Sequence, residues 1–208
     1  MSQFNAIQKH LINTIPKISK FLQIELRVEF SVIDYKGQSF IIATIQPDDN
    51  TYTIRQNGIE IVAEDFFDRT KLFNVSHAKT TGFIPIDGKE GLRGFGTSHC
   101  DFVLFDEHNF CFVEFKLNAE DISEGDKDEL HIIRKIRKNR KKAISQLSNT
   151  IDWFDNQLAK NYEGLGLEAY VCTPESYPKK NTAWEELEVA FLEKYGFPLF
   201  EENSKVCK

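Results

Sequence analysis

Residues 98–116 constrain this chain more than any other stretch. They run Ser98-His99-Cys100-Asp101-Phe102-Val103-Leu104-Phe105, then Asp106-Glu107-His108-Asn109, then Phe110-Cys111-Phe112-Val113-Glu114-Phe115-Lys116. Two arms rich in Phe, Val, Leu and Cys flank four polar turn formers, which is the pattern of a β-hairpin. Three charged residues, Asp101, Glu114 and Lys116, interrupt the apolar arms.

A turn centred between Glu107 and His108 sets Phe105 opposite Phe110, Val103 opposite Phe112 and Asp101 opposite Glu114. Side chains alternate faces along a strand, so Asp101, Val103, Glu114 and Lys116 are expected on one face and Cys100, Phe102, Cys111, Val113 and Phe115 on the other. Directly opposed side chains sit roughly 4.5–5.5 Å apart at Cβ, and like charges there repel. A cation between the two carboxylates is therefore required, either Lys116 or a bound metal.

The surrounding pattern indicates the fold class. Phe4, Ile7, Leu11, Ile15, Ile18 and Leu22 recur at helical spacing, with Pro16 expected to break or kink the helix. From residue 26 the period changes to two. Residues 26–34 and 39–46 read as strands joined at Tyr35-Lys36-Gly37-Gln38. Residues 52–55 and 59–63 read as two more, joined at Gln56-Asn57-Gly58. Residues 64–73 suggest a short helix and 82–86 a short strand. The loop 87–97 contains Gly88, Gly91, Gly94 and Gly96 but no phosphate-loop pattern. It reads as a connection, or as a loop that closes Lys89 and Arg93 over a ligand beside Asp101.

An acidic stretch, 120–129, precedes a helix predicted over about 128–160, where Ile132, Ile136, Ala143, Leu147, Ile151, Phe154 and Leu158 form one apolar stripe. Residues 167–173 read as a buried strand parallel to 110–116, completing a strand–helix–strand crossover. A last helix is predicted from Thr182, with capping-box spacing to Glu185, ending near Gly196. The order is mixed α/β, or α+β, with an N-terminal unit of helix and antiparallel meander over 1–97 and a core over 98–208.

Composition limits the setting. No apolar run reaches the length of a membrane span and no signal-peptide pattern opens the chain, so a cytoplasmic protein is expected. Cys100, Cys111, Cys172 and Cys207 lack CxxC spacing and read as buried thiols. The net charge of −6 hides a segregation, because residues 134–142 carry seven Lys or Arg and no acid, against 19 basic and 32 acidic residues elsewhere. Arg134, Lys135, Arg137, Lys138, Lys141 and Lys142 are candidates for phosphate-backbone contact, and the alternative is a solvated helix face. Trp153 and Trp184, at helical spacing, read as core or as base-stacking surfaces.

Asp101, twelve intervening residues, then Glu114-Phe115-Lys116 on a hairpin followed by a helix resembles the PD-(D/E)XK phosphodiesterase superfamily, the restriction-endonuclease-like nucleases. Cys100 stands where the family usually has Pro. Gln146 in Lys142-Ala143-Ile144-Ser145-Gln146-Leu147 matches the Gln that many members carry on the helix after the Lys strand. The resemblance covers 98–173 and implies a mixed central sheet flanked by helices.

It also implies Mg²⁺ or Mn²⁺ held by Asp101, Glu114 and the Phe115 carbonyl. Lys116 would orient water or stabilise developing charge, and Gln146 would hold the site or touch substrate. Glu64 is a weak candidate for the upstream acid that some relatives add. His99, expected to face solvent opposite Lys116, is a weak candidate for contact with metal or phosphate. The implied activity is metal-dependent hydrolysis of nucleic acid, DNA rather than RNA. The alternative is an inactive nuclease fold serving as a binding, immunity or regulatory module, and a homodimer or a protein partner stays open.

Overall fold

The computed structural model describes residues 2–46, 51–56, 58–65, 67–89, 91–94, 98–117, 129–179 and 181–207. Most of the acidic stretch and residues 95–97 of the glycine loop thus lie outside the described residues. In chain order the elements are α1 (Gln3–Thr14), β1 (Gln23–Glu25), β2 (Phe30–Asp34), β3 (Ser39–Gln46), β4 (Thr51–Gln56), β5 (Ile59–Val62), β6 (Leu72–Ser76) and β7 (Thr81–Pro85). They continue with β8 (Phe102–Phe105), β9 (Asn109–Phe115), α2 (Glu129–Leu158), β10 (Gly166–Cys172), α3 (Thr182–Tyr195), β11 (Leu199–Phe200) and β12 (Ser204–Val206).

The strands form two mixed sheets in a mixed α/β fold. One has the order β1-β7-β8-β9-β10-β11, and the other β12-β6-β2-β3-β4-β5. Residue 97 falls between β7 and β8, hydrogen-bonded neighbours in the first sheet, while β12 from the C-terminus pairs with β6 in the second. Three layers result. The helices cover one face of the first sheet through Phe4, Ile7, Phe112, Leu147, Phe154 and Phe191, among others. The other face of that sheet packs on the second through Phe83, Phe102, Val113 and Tyr170 against Phe30, Val32, Ile41 and Phe73. A smaller core of Ile33, Phe40, Ile42, Tyr52, Ile54, Ala63 and Leu72 completes the meander.

Local chemistry explains most boundaries. Pro16 forces its predecessor out of the helical region, so Ile15 is extended (φ −102°, ψ 114°), α1 ends at Thr14 and only a 3₁₀ turn follows at Ile18–Lys20. The β2–β3 turn places Lys36 and Gly37 at positive φ (53° and 78°), as a two-residue hairpin turn requires. Gly82 of β7 lies under the Phe105 ring, where an added Cβ would come within 2.2 Å of the ring. The predicted stripe of α2 is buried at Ile136, Ala143, Leu147, Ile151, Phe154 and Leu158. Burying side chains of the larger kinds contributes about 1.5–3 kcal/mol each. β10 runs parallel to β9, as the crossover predicted, with Ala169 beside Phe112.

Several expectations are corrected. Residues 26–34 are not one strand, because the chain leaves the first sheet after Glu25 and enters the second at Phe30. Arg27 steadies the crossing by donating to the Ile42 and Ala43 carbonyls at 2.8 and 3.1 Å. The described residues of 64–73 form no α-helix; a 3₁₀ turn at Arg69–Lys71 leads into β6, whose Leu72, Phe73 and Val75 are needed in the cores on both sides of the second sheet. The cap of α3 is Asn181, not Thr182, since the Asn181 Oδ1 accepts from the Trp184 N–H at 3.0 Å. All four cysteines are buried free thiols. Among the described residues, no helix is long and apolar enough to cross a membrane.

Candidate metal centre and its approaches

The hairpin forms in the predicted register, with Phe105 paired to Phe110 and Val103 to Phe112, but the regular ladder stops at Phe102 and Val113. The Asp101 N–H is bonded to the Val113 carbonyl at 3.1 Å. Asp101 and Phe102 thus both oppose Val113, which is the geometry of a β-bulge. One extra residue reverses the alternation beyond it. Cys100 therefore joins Val103 in the helix-side core instead of sharing a face with Phe102.

The bulge also re-aims the Asp101 side chain, whose Oδ2 accepts the Phe115 N–H at 2.5 Å. Its carbonyl receives the N–H groups of Ile86 and Asp87, tying the site to the loop after β7. Glu114, 1% exposed, lies against the Asp101 carboxyl, and its Oε2 has no hydrogen-bond donor. Burial, and then the neighbouring Asp101, hold the Glu114 carboxyl well above its usual range, against the pull of Lys116. Burial is also the largest cause that pushes Asp101 up to about 7, with Asp34 at the end of β2 adding repulsion.

Lys116 balances this charge. Its ammonium is bonded to Glu114 Oε1, to the Phe115 carbonyl at 3.1 Å and to Gln146 Oε1 at 2.9 Å. Two of these three oxygens belong to the residues expected to hold a metal, so the lysine is a cation placed among converging oxygen ligands. Gln146 in turn donates to the His99 carbonyl at 2.9 Å. Asn149 donates to the Ser98 carbonyl at 2.9 Å, and the Thr150 hydroxyl accepts the Cys100 N–H at 2.8 Å. Three polar side chains of α2 therefore bind the segment that leads into Asp101, and the helix positions the carboxylate through the backbone.

The residues present fit a hard divalent cation. The donor set is all oxygen, a buried carboxylate oxygen lacks a donor, and one positive charge faces two carboxyls. Asp101, Glu114 and the Phe115 carbonyl would hold the ion. Among the described residues no group of three or more His, Cys, Asp or Glu side chains gathers as a ligand set. Glu64 does not join the pair, being exposed with its carboxylate on Lys36 at 2.6 Å.

His99 is buried, not solvent-facing as expected. Its Nε2 accepts from Arg93 Nε at 3.2 Å, and burial, reinforced by the Arg93 charge, lowers its pKa. Arg93 also lies over the Trp153 ring, 4.7 Å from its centroid.

The basic run on α2 divides. Arg140 is 2% exposed and forms a fork with Glu201 at 2.6 and 2.8 Å, with its guanidinium 5.3 Å from the Trp184 ring centroid. It is a core ion pair. Arg134, Arg137, Lys138, Lys141 and Lys142 are exposed and Lys135 half-buried. At about 100° per residue, Lys135, Lys138 and Lys142 share the side of α2 that carries Gln146, whereas Arg134, Arg137 and Lys141 point away. The bulge, the Arg93 pairing and the burial of Arg140 were not anticipated from sequence. No local signal marks them, since each depends on a partner far along the chain.

Fold and site together define a mixed α/β protein that holds a buried and a half-buried carboxyl side by side with a lysine at the end of a central hairpin, beside a helix with a cationic edge. Comparison of the chain with protein-family models, with curated proteins and with solved structures found no match.

Proposed function

We propose that this chain is a divalent-metal-dependent phosphodiesterase of the PD-(D/E)XK type, acting on nucleic acid and on DNA in preference to RNA. The observation that carries the reading is the convergence of Glu114 Oε1, the Phe115 carbonyl and Gln146 Oε1 on the Lys116 ammonium, beside the Asp101 carboxyl. A bound Mg²⁺ or Mn²⁺ supplies Lewis acidity toward a phosphate oxygen and a more acidic water.

The chain's own residues do the rest. Asp101 and Glu114 would hold the ion. Lys116 would hold a water by hydrogen bonding or stabilise charge on the phosphorane oxygens. Gln146 keeps Lys116 in place from the helix side and fixes the His99 carbonyl, while Lys135, Lys138 and Lys142 meet the phosphate backbone.

The test is incubation of the purified protein with plasmid, linear and single-stranded DNA in Mg²⁺, in Mn²⁺ and in EDTA. Cleavage should require metal and be lost in Lys116→Ala and Asp101→Ala. Cleavage that survives either substitution would refute the mechanism. A second reading, an inactive nuclease fold that binds a protein partner, is favoured by the closure of the site by Lys116 itself. It predicts partner binding that is unchanged by metal and by Asp101→Ala.

A further inference from the structure

Arg93 is built into a position that the proposed hydrolysis does not use. It comes from the loop after β7, where the Leu92 and Arg93 N–H groups bond to the Pro85 and Ile86 carbonyls at 2.9 and 2.8 Å. One side of its guanidinium lies on Trp153 and its Nε donates to the buried His99. The terminal nitrogens of Arg93 make no hydrogen bond among the described residues. A planar fork held from two sides with its outer donors unused is pre-organised for a bidentate anion.

Its position suggests which anion. Lys135, Lys138, Lys142, Gln146, Asn149 and Trp153 fall within an arc of about 80° on α2 and span about 27 Å. Gln146, which holds Lys116, lies between the lysines and Trp153. Lys142 is about 6 Å from Gln146 along the helix in one direction and Trp153 about 10 Å in the other. Cations therefore stand on both sides of the carboxylate pair along one line.

We propose that Arg93, stacked on Trp153 and bonded to His99, is a phosphate-binding group that holds a DNA strand on the opposite side of the Asp101–Glu114 centre from Lys135, Lys138 and Lys142. A strand so held passes through the site in both directions, so the bonds presented for cleavage are internal ones. The assignment rests on the phosphodiesterase reading and goes beyond it in naming the path of the substrate.

The experiment measures anisotropy of a fluorescein-labelled single-stranded oligodeoxynucleotide in EDTA across a KCl series, for the wild type, Arg93→Ala and Arg93→Gln. Gln retains a stem to pack on Trp153 and an amide to meet His99, so it separates charge from folding. Loss of one phosphate contact should lower affinity about fivefold at 0.1 M salt and reduce the slope of log K against log salt by about 0.7. Arg93→Lys should keep the slope. Covalently closed single-stranded circles should be cut by the wild type in Mg²⁺.

Wild-type affinity and slope in Arg93→Gln would overturn this proposal alone, as would resistance of circles beside digestion of linear strands. A wild-type protein that neither binds nor cleaves DNA would overturn the phosphodiesterase reading and this inference together.

Discussion

Replacing Asp101 by Asn should stabilise the metal-free protein at alkaline pH and leave it nearly unchanged at acidic pH. Burial and Asp34 raise Asp101 from the ordinary 3.8 to about 7. Between those values the native state binds more protons than the unfolded chain. The stability contributed by that protonation is therefore full below about pH 4 and is lost as pH rises through 7. Roughly three pKa units at 1.36 kcal/mol each set a ceiling of about 4 kcal/mol, and solvent reaching the half-buried carboxyl brings the expected effect to about 2 kcal/mol.

Asn keeps the oxygen that accepts the Phe115 N–H and adds an amide donor for the unsatisfied Glu114 Oε2. The assay is urea unfolding in EDTA at pH 5 and pH 8.5, followed by tryptophan fluorescence. At pH 8.5 the variant should be more stable by about 2 kcal/mol, or about 4–8 °C in Tm for a chain of this size. Adding Mn²⁺ should stabilise the wild type and not the variant. A wild type that becomes more stable between pH 5 and 8.5 relative to Asp101→Asn would refute the reasoning.

Three further outcomes can be checked. Glu201→Ala leaves the buried Arg140 without its carboxylate and should cost about 3–5 kcal/mol by denaturant unfolding, whereas joint replacement of Arg140 and Glu201 by apolar residues should cost much less. Lys116→Met should abolish cleavage while tightening Mn²⁺ binding in calorimetry, because the ammonium no longer competes for Glu114 and the Phe115 carbonyl. Lys138→Glu with Lys142→Glu should weaken DNA binding far more than Arg137→Glu with Lys141→Glu, which changes the charge equally on the opposite side of α2.

Much of the architecture was legible because it depends on period and turn chemistry. Polar turn formers between Phe105 and Phe110 set the hairpin register, the three- and four-residue recurrence from Ile136 to Leu158 defined the buried side of α2, and the crossover length required a parallel β10. Alternation likewise placed Asp101, Glu114 and Lys116 on one face, although the bulge replaced the expected Asp101–Glu114 pairing, whereas Gln146 was legible only through the resemblance of the segment to a nuclease motif. Short edge strands escaped notice. β1, β11 and β12 have three, two and three residues, too few to show a period, and they exist because partners in the sheets complete them.

What the sequence determined by itself was therefore the set of local conformations and the charge each carries, since these depend on neighbours within a few residues. Tertiary structure decided what those charges do. The bulge at Asp101 arises where strand pairing meets the anchoring of residues 98–100 on α2, and it reversed the phase that alternation predicted for Cys100. Of seven adjacent cations on α2, packing against Glu201 withdrew Arg140 into the core, and helix orientation divided the others between the site and the far side. Burial under Arg93 made His99 a neutral acceptor. Each result turns on desolvation and long-range pairing, which are properties of the assembled layers and not of any segment.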